Sequence, residues 1–217
     1  MAITTELVVT RHGQAVCNTL GVIGGERGCT GLTPLGRDQV ARLAHRLAAE
    51  HAKRPFDALY GTPRRRVRES TEIIARALAL TATEDPELRG LDHGQADGGT
   101  WHEAKTAFGG PPHHRPDQPY APGAEPWHTY LARTAAALTA ILARHEGQRI
   151  LISAHGETIQ AAHSLLLALP PGACTRIGFA SDHAALARWQ HQVNRLGQEL
   201  WILQASNDTA HLPGTGS

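Results

Sequence analysis

The sequence predicts an α/β fold: a three-layer α/β/α sandwich whose sheet is mainly parallel with an antiparallel edge. Three observations predict it. Short apolar runs (Leu7-Val8-Val9, Ile150-Leu151-Ile152) are continuous rather than alternating, as in strands covered on both faces, and Phe56 to Tyr60 reads as another buried strand. Segments with helical spacing of apolar residues lie between them, which implies right-handed crossovers. Two further strand-like runs, Ala184 to Trp189 and Glu199 to Leu203, flank a turn at Asn194 to Gly197 and read as a hairpin at one sheet edge.

Taken in order, the first strand ends in Arg11-His12-Gly13-Gln14, and a glycine-dense loop, Gly21 to Gly31, follows. That loop lacks the spacing of a nucleotide phosphate loop. Thr33-Pro34 starts a helix, Thr as N-cap and Pro as first residue, and Leu35, Val40, Leu43, Ala44 and Leu47 share one face to about Glu50. After the second strand, Gly61-Thr62-Pro63 starts another helix with the same cap chemistry, its inner face Val67, Ile74, Ala77 and Leu78. From about 85 to 123 the chain turns rich in Gly and Pro and reads as a loop or lid insertion. Glu125 to His145 is a third helix and Arg149 to Ser153 a third strand; Ala154-His155-Gly156-Glu157 leads into a fourth helix stopped at Pro170-Pro171. One domain, 1–217, is the simplest partition.

Composition narrows the function classes. The chain has 217 residues, 41 % hydrophobic and 19 % charged, with a formal net charge of +1, so nothing draws it as a whole to nucleic acid or a membrane. No apolar run approaches membrane-spanning length and no leader pattern opens the chain. The three cysteines, Cys17, Cys29 and Cys174, cannot all pair within one chain, which fits a reducing cytoplasmic setting. Oligomeric state is not legible, a homodimer being one option.

The chemistry lies at the strand ends. Ligands in open α/β sheets sit beyond the carboxyl ends of the strands. Parallel strands deliver Arg11-His12 and His155 to one rim, and Arg66 lies a turn into the helix after the second strand. Two His and two Arg around one point suit a dianionic group, with the start of the helix after His155 adding N–H groups. A neutral imidazole there can attack a phosphoryl group while Arg and His neutralise its oxygens. Two arginines argue against a metal ion.

The chain resembles the histidine phosphatase superfamily, in the branch with cofactor-dependent phosphoglycerate mutases and small phosphatases. The marks are Arg11-His12-Gly13 with Asn18; Gly31-Leu32-Thr33 with Gly36; Tyr60-Gly61-Thr62-Pro63 with Arg66; Ala154-His155-Gly156; and Asn207 to Leu212. The resemblance implies that His12 is the phosphorylated nucleophile, that Arg11, Arg66 and His155 hold the phosphate, and that Asn18 and Gln14 contact it or shape the pocket. It implies a small phosphorylated substrate or inorganic phosphate as ligand, and no metal or organic cofactor.

One departure matters. The family's proton-donating Glu sits in a Leu-x-Glu-x-x-x-Gly setting, and here that slot holds Gly90 in Leu88 to Gly94. Asp92 is the first candidate to replace it and Glu157 the alternative; Glu87 would need a register slip. A substrate with a good leaving group needs no acid, and a protein without one can be non-hydrolytic. The readings left open are a phosphomonoester hydrolase, a phosphomutase, and a phospholigand-binding or repurposed member. Arg64, Arg65 and Arg68 read as solvated helix charges, His113-His114-Arg115 as a disordered loop, Cys17 as packed, and the four tryptophans as packing residues.

Overall fold

The computed structural model describes residues 2–170, 173 and 176–214, and Pro171 and Cys174 lie outside the described residues. The chain runs β1 (Ala2–Arg11), α1 (Val16–Thr19), α2 (Pro34–Lys53), β2 (Ala58–Gly61), α3 (Arg65–Leu78), β3 (Ala82–Glu84), α4 (Trp101–Phe108), α5 (Trp127–Arg144), β4 (Arg149–Ala154), α6 (Gly156–Leu166), β5 (Leu186–Val193) and β6 (Glu199–Asp208), with short 3₁₀ turns between some of them. The strands form one sheet in the order β3-β2-β4-β1-β5-β6. The first four pair in parallel; β5 and β6 close one edge antiparallel.

The strand alternation explains the layers. Leu7, Val9, Ile150 and Ile152 point to one face and pack on α5 and α6 through Leu138, Ile141, Ile159 and Ala162. Val8, Leu59 and Leu151 point to the other and meet Val40, Leu43 and Leu47 of α2 and Ile74 and Leu78 of α3. β1 and β4 are covered on both sides, so their apolar runs had to be continuous.

At the opposite rim from the site, the sheet is clamped by ions. Glu6, 2 % exposed, accepts from Arg149 and, at 2.7 Å, from Arg188, and both arginines also reach Glu50 at 2.8 and 2.6 Å. Burial pushes the Glu6 carboxyl up, but the bonds from Arg149 and Gln190 outweigh it and hold the carboxyl below its ordinary range.

Four local expectations are corrected. Thr33 caps α2 as expected, accepting from the Gly36 N–H at 2.9 Å, but Leu35 in its first turn is exposed rather than on the buried face. Thr62 does not cap α3: that helix begins at Arg65, behind Arg64 with no side-chain cap, and the Thr62 hydroxyl turns inward. β3 was not expected, because Ala82-Thr83-Glu84 is short and polar and pairs only on one side, with β2. Within 85–123 the chain forms α4, capped by Thr100 and ended by Gly109 at φ 77°, and His113-His114 sit in a 3₁₀ turn. Phe108 and Tyr120 of this segment pack with Ile23, Leu91, Trp127 and Tyr130 in a third apolar cluster beside the sheet rim.

Candidate active site

The β1–β4 register builds the site. Arg11 pairs with Ala154 across the two central parallel strands, and the His12 N–H donates to the Ala154 carbonyl at 3.0 Å. The next residues on each strand, His12 and His155, therefore emerge side by side. Their rings meet edge to face, with centroids 5.6 Å apart. Both are buried, at 3 % and 0 % exposure.

Hydrogen bonds fix which ring nitrogen carries the proton. His12 Nδ1 lies 2.7 Å from the carbonyl of Gly13, an acceptor only, so Nδ1 carries the proton. Nε2 keeps its lone pair, and the Arg66 Nε–H donates to it at 2.9 Å. His155 is held from both sides: Arg66 Nη2 donates toward Nδ1 at 3.3 Å, so Nε2–H faces the Thr62 hydroxyl at 3.1 Å. Burial, then the Arg66 guanidinium, pushes both imidazoles well below their usual range, with Arg11 adding to the shift at His12. Both rings are therefore neutral at pH 7, and His12 offers a buried lone pair beside two cations.

Arg66 is 8 % exposed and is anchored by the Gly24 carbonyl. Arg11 donates to the Ser181 carbonyl and faces His183. Arg64 corrects the expectation of a solvated charge: it is 3 % exposed and donates to the carbonyls of Gly24, Leu91 and Gly90 at 3.1, 2.7 and 3.3 Å. It ties the glycine-dense loop to the segment beyond β3, while Arg65 and Arg68 stay exposed on α3. Cys17 of α1 and Cys29 of the glycine-dense loop are both buried, and the Arg66 N–H points at the Cys29 sulfur at 3.4 Å.

Two expected site residues are not brought to this point. Asp92 is exposed; its Oδ1 accepts from the Gly94 N–H at 3.0 Å, closing a tight turn, and the neighbour that turns inward is His93, 6 % exposed and bonded to the Tyr120 hydroxyl at 2.8 Å. Gln14 turns toward α2, where its Oε1 accepts from the Thr33 hydroxyl at 2.9 Å. Asn18 is near the site, its Oδ1 accepting from the Ala15 N–H and lying 3.1 Å from His183 Nε2. Glu157 follows His155 in the first turn of α6 and shares with Arg11, Trp127, Gln160 and Arg176 the lining of a cavity of about 480 Å³.

Gly90 lies against the face of His155. A Cβ added there would touch three atoms of that ring at 3.4 Å, so the slot where the family carries its Glu faces the site in this chain too. Sequence reasoning missed Thr62, Arg64, His93 and His183. Thr62 looked like a cap, Arg64 stood in a basic run, and the two histidines sat in irregular segments without a pattern. Among the described residues, no group of three or more His, Cys, Asp or Glu side chains is placed to hold a metal ion, and no helix is long and apolar enough to cross a membrane.

Comparison with known proteins agrees with this geometry. The chain is 27 % identical over 220 residues to a metal-independent phosphoserine phosphatase of Arabidopsis thaliana, covering 98 % of this chain and 85 % of the relative. It is 25 % identical to a probable phosphoglycerate mutase of Yersinia enterocolitica, over 95 % of this chain and 94 % of that one. Among solved structures, a mycobacterial glucosyl-3-phosphoglycerate phosphatase superposes with a TM-score of 0.78 at 22 % identity, covering 95 % and 99 % of the two chains. A phosphoserine phosphatase mutant of Entamoeba histolytica, in complex with phosphoserine, gives 0.73 at 21 % identity, covering 96 % and 99 %. The model of the histidine phosphatase superfamily, branch 1, matches residues 7–203, and the chain belongs to that family.

Proposed function

We propose that the protein is a phosphomonoester hydrolase that works through a phosphohistidine on His12 Nε2. The observation that carries this reading is the tautomer: Gly13 holds the proton on Nδ1, so the nitrogen facing Arg66 and His155 is the nucleophilic one. Arg11, Arg66 and His155 hold the three outer oxygens of the phosphoryl group, and Asn18 lies at their edge. Their donors act where charge is carried through the transition state, the main source of rate in phosphoryl transfer. Attack by His12 breaks the bond to the substrate oxygen, and water then releases phosphate from the histidine.

The departing oxygen needs a proton. Glu157 replaces Asp92 in this role, on its place in the cavity wall beside Arg11, whereas Asp92 is engaged at a surface turn. The substrate is a small phosphorylated metabolite. Arg176 and Gln160 in the same cavity suit an acid or polyol, and relatives are named for phosphoserine and glucosyl-3-phosphoglycerate. The chain reads as one catalytic domain whose segment from about 85 to 123 forms part of the substrate wall, and as a cytoplasmic enzyme on its odd number of cysteines.

The test is a phosphoenzyme trap. Protein mixed with radiolabelled phosphoserine and quenched in alkali should retain an acid-labile label, and His12→Ala should lose both label and turnover. Turnover that persists in His12→Ala, or a label on another residue, would overturn the assignment.

A further inference from the structure

His183 was in neither the sequence pattern nor the set of residues that the family resemblance implied. It lies in the irregular segment between α6 and β5, and the backbone places it against the nucleophile. The Ala184 N–H donates to the His12 carbonyl at 3.1 Å, and the Arg11 N–H donates to the Ala185 carbonyl at 3.0 Å. Ala184 holds a left-handed φ of 58° to make that turn. Asp182 is latched from the other side: its N–H donates to Asn207 Oδ1 at 2.7 Å and its carboxylate accepts from Asn207 Nδ2 at 2.9 Å. The position is built, not left to a loose loop.

The ring of His183 faces the phosphate residues. Its centroid is 6.1 Å from that of His12, its Nε2 lies 3.2 Å from Arg11 Nη2, and the same nitrogen lies 3.1 Å from Asn18 Oδ1. One ring nitrogen cannot do both jobs. To donate to Asn18 it must carry a hydrogen, and to accept from Arg11 it must not. An anion lying between Arg11 and His183 removes the conflict, because it accepts from both.

We propose that His183 is a third imidazole of the phosphate site, protonated when a dianion enters and then donating to one of its oxygens. This rests on the phosphate-site reading above. The groups that face the ring are Arg11, Arg66, His12, Asn18 and Asp182. Burial first, then Arg11, pushes its imidazole down to about 4, with Asp182 pulling the other way. A dianion held by Arg11 reverses the sign of the nearest charge and makes the imidazolium the favoured form.

The experiment uses sulfate, whose charge is constant over the range tested, and isothermal titration calorimetry in buffers of different ionisation enthalpy. Wild type should take up close to one more proton per sulfate bound than His183→Asn near about pH 5.5, and that excess should fall toward zero by about pH 8. At the acid end the variant should bind about ten- to a hundred-fold more weakly, the worth of one charge-assisted bond. As pH rises the two affinities should converge. Equal proton uptake by the two proteins would overturn the proposal. Nitrogen-15 spectra of the wild-type histidine rings test it without a variant: the His183 signals should move to imidazolium values on adding sulfate, and signals that stay neutral would also overturn it. Failure of both proteins to bind either sulfate or inorganic phosphate would sink the phosphate-site reading itself and the proposal with it.

Discussion

Restoring a carboxylate at residue 90 is the sharpest perturbation that the structure offers. Gly90 does not need glycine for its backbone, since it is absent from the positive-φ positions among the described residues. The Cβ of Gly90→Glu would meet Cγ, Cδ2 and Cε1 of His155 at 3.4 Å, ordinary contact distance, so the chain need not move. From there the longer side chain reaches over the ring toward the bridging oxygen of a bound monoester. A well-placed general acid contributes about 10²–10⁴-fold. Arg64, which already donates to the Gly90 and Leu91 carbonyls, works against this by favouring the ionised carboxylate. Introduced into Glu157→Gln, where no other acid serves the leaving oxygen, Gly90→Glu should therefore gain about ten- to a hundred-fold in kcat/KM for an alkyl phosphate, or about 1.4–2.7 kcal/mol of barrier. Nitrophenyl phosphate, whose leaving group departs as a stable anion, should gain little. The assay is steady-state kinetics on both substrates, with thermal melts to show that the variant is folded. A folded variant that accelerates neither substrate, or both equally, would refute the reasoning that residue 90 faces the leaving oxygen.

Other outcomes follow from particular contacts. Glu157→Gln should cost an alkyl phosphate about a hundred-fold and nitrophenyl phosphate far less, while Asp92→Asn should leave both within about two-fold, because Asp92 only closes a surface turn. Thr62→Val removes the partner of His155 Nε2–H; the unpaired buried donor should cost about 1–3 kcal/mol, read as a lower melting temperature and a slower phosphorylation step. Arg149→Met leaves buried Glu6 with Arg188 and Gln190 as its remaining close partners and should cost about 1–3 kcal/mol in urea unfolding. The Glu6 and Glu50 carboxyls are held below their ordinary range, so the native state binds fewer protons than the unfolded chain there. Their contribution is present above the ordinary carboxylate range and is lost as pH falls through the lowered values; unfolding free energies measured from neutral pH downward should show that loss, and the Arg149→Met variant less of it. Because burial and Arg66 hold His12 neutral, kcat on nitrophenyl phosphate should not fall between about pH 7.5 and about pH 5.5, where an ordinary imidazole would protonate.

The central strands were legible because burial on both faces leaves only apolar residues tolerable at Leu7 to Val9 and Ile150 to Ile152. Helix α2 was legible because Thr33-Pro34 is local cap chemistry. Thr62-Pro63 looked the same and was not, since a hydroxyl can serve a helix N-terminus or a distant imidazole and only His155 decided between them. α4 was hidden by its shortness and its glycine flanks, and β3 by its polar edge position.

From the sequence alone came the order of the main strands and long helices, the placing of Arg11-His12 and His155 at one end of a parallel sheet, and the gap at Gly90. The first two follow from periodicity and local geometry, which act over a few residues; the gap at Gly90 shows only against the pattern of the family that the chain resembles. The folded chain alone decided that Thr62, Arg64 and His183 lie against these residues, that Asp92 turns to solvent, and which nitrogen of His12 carries the proton. Those depend on register and on competing hydrogen bonds between residues far apart in the chain, and no local pattern encodes which partner wins.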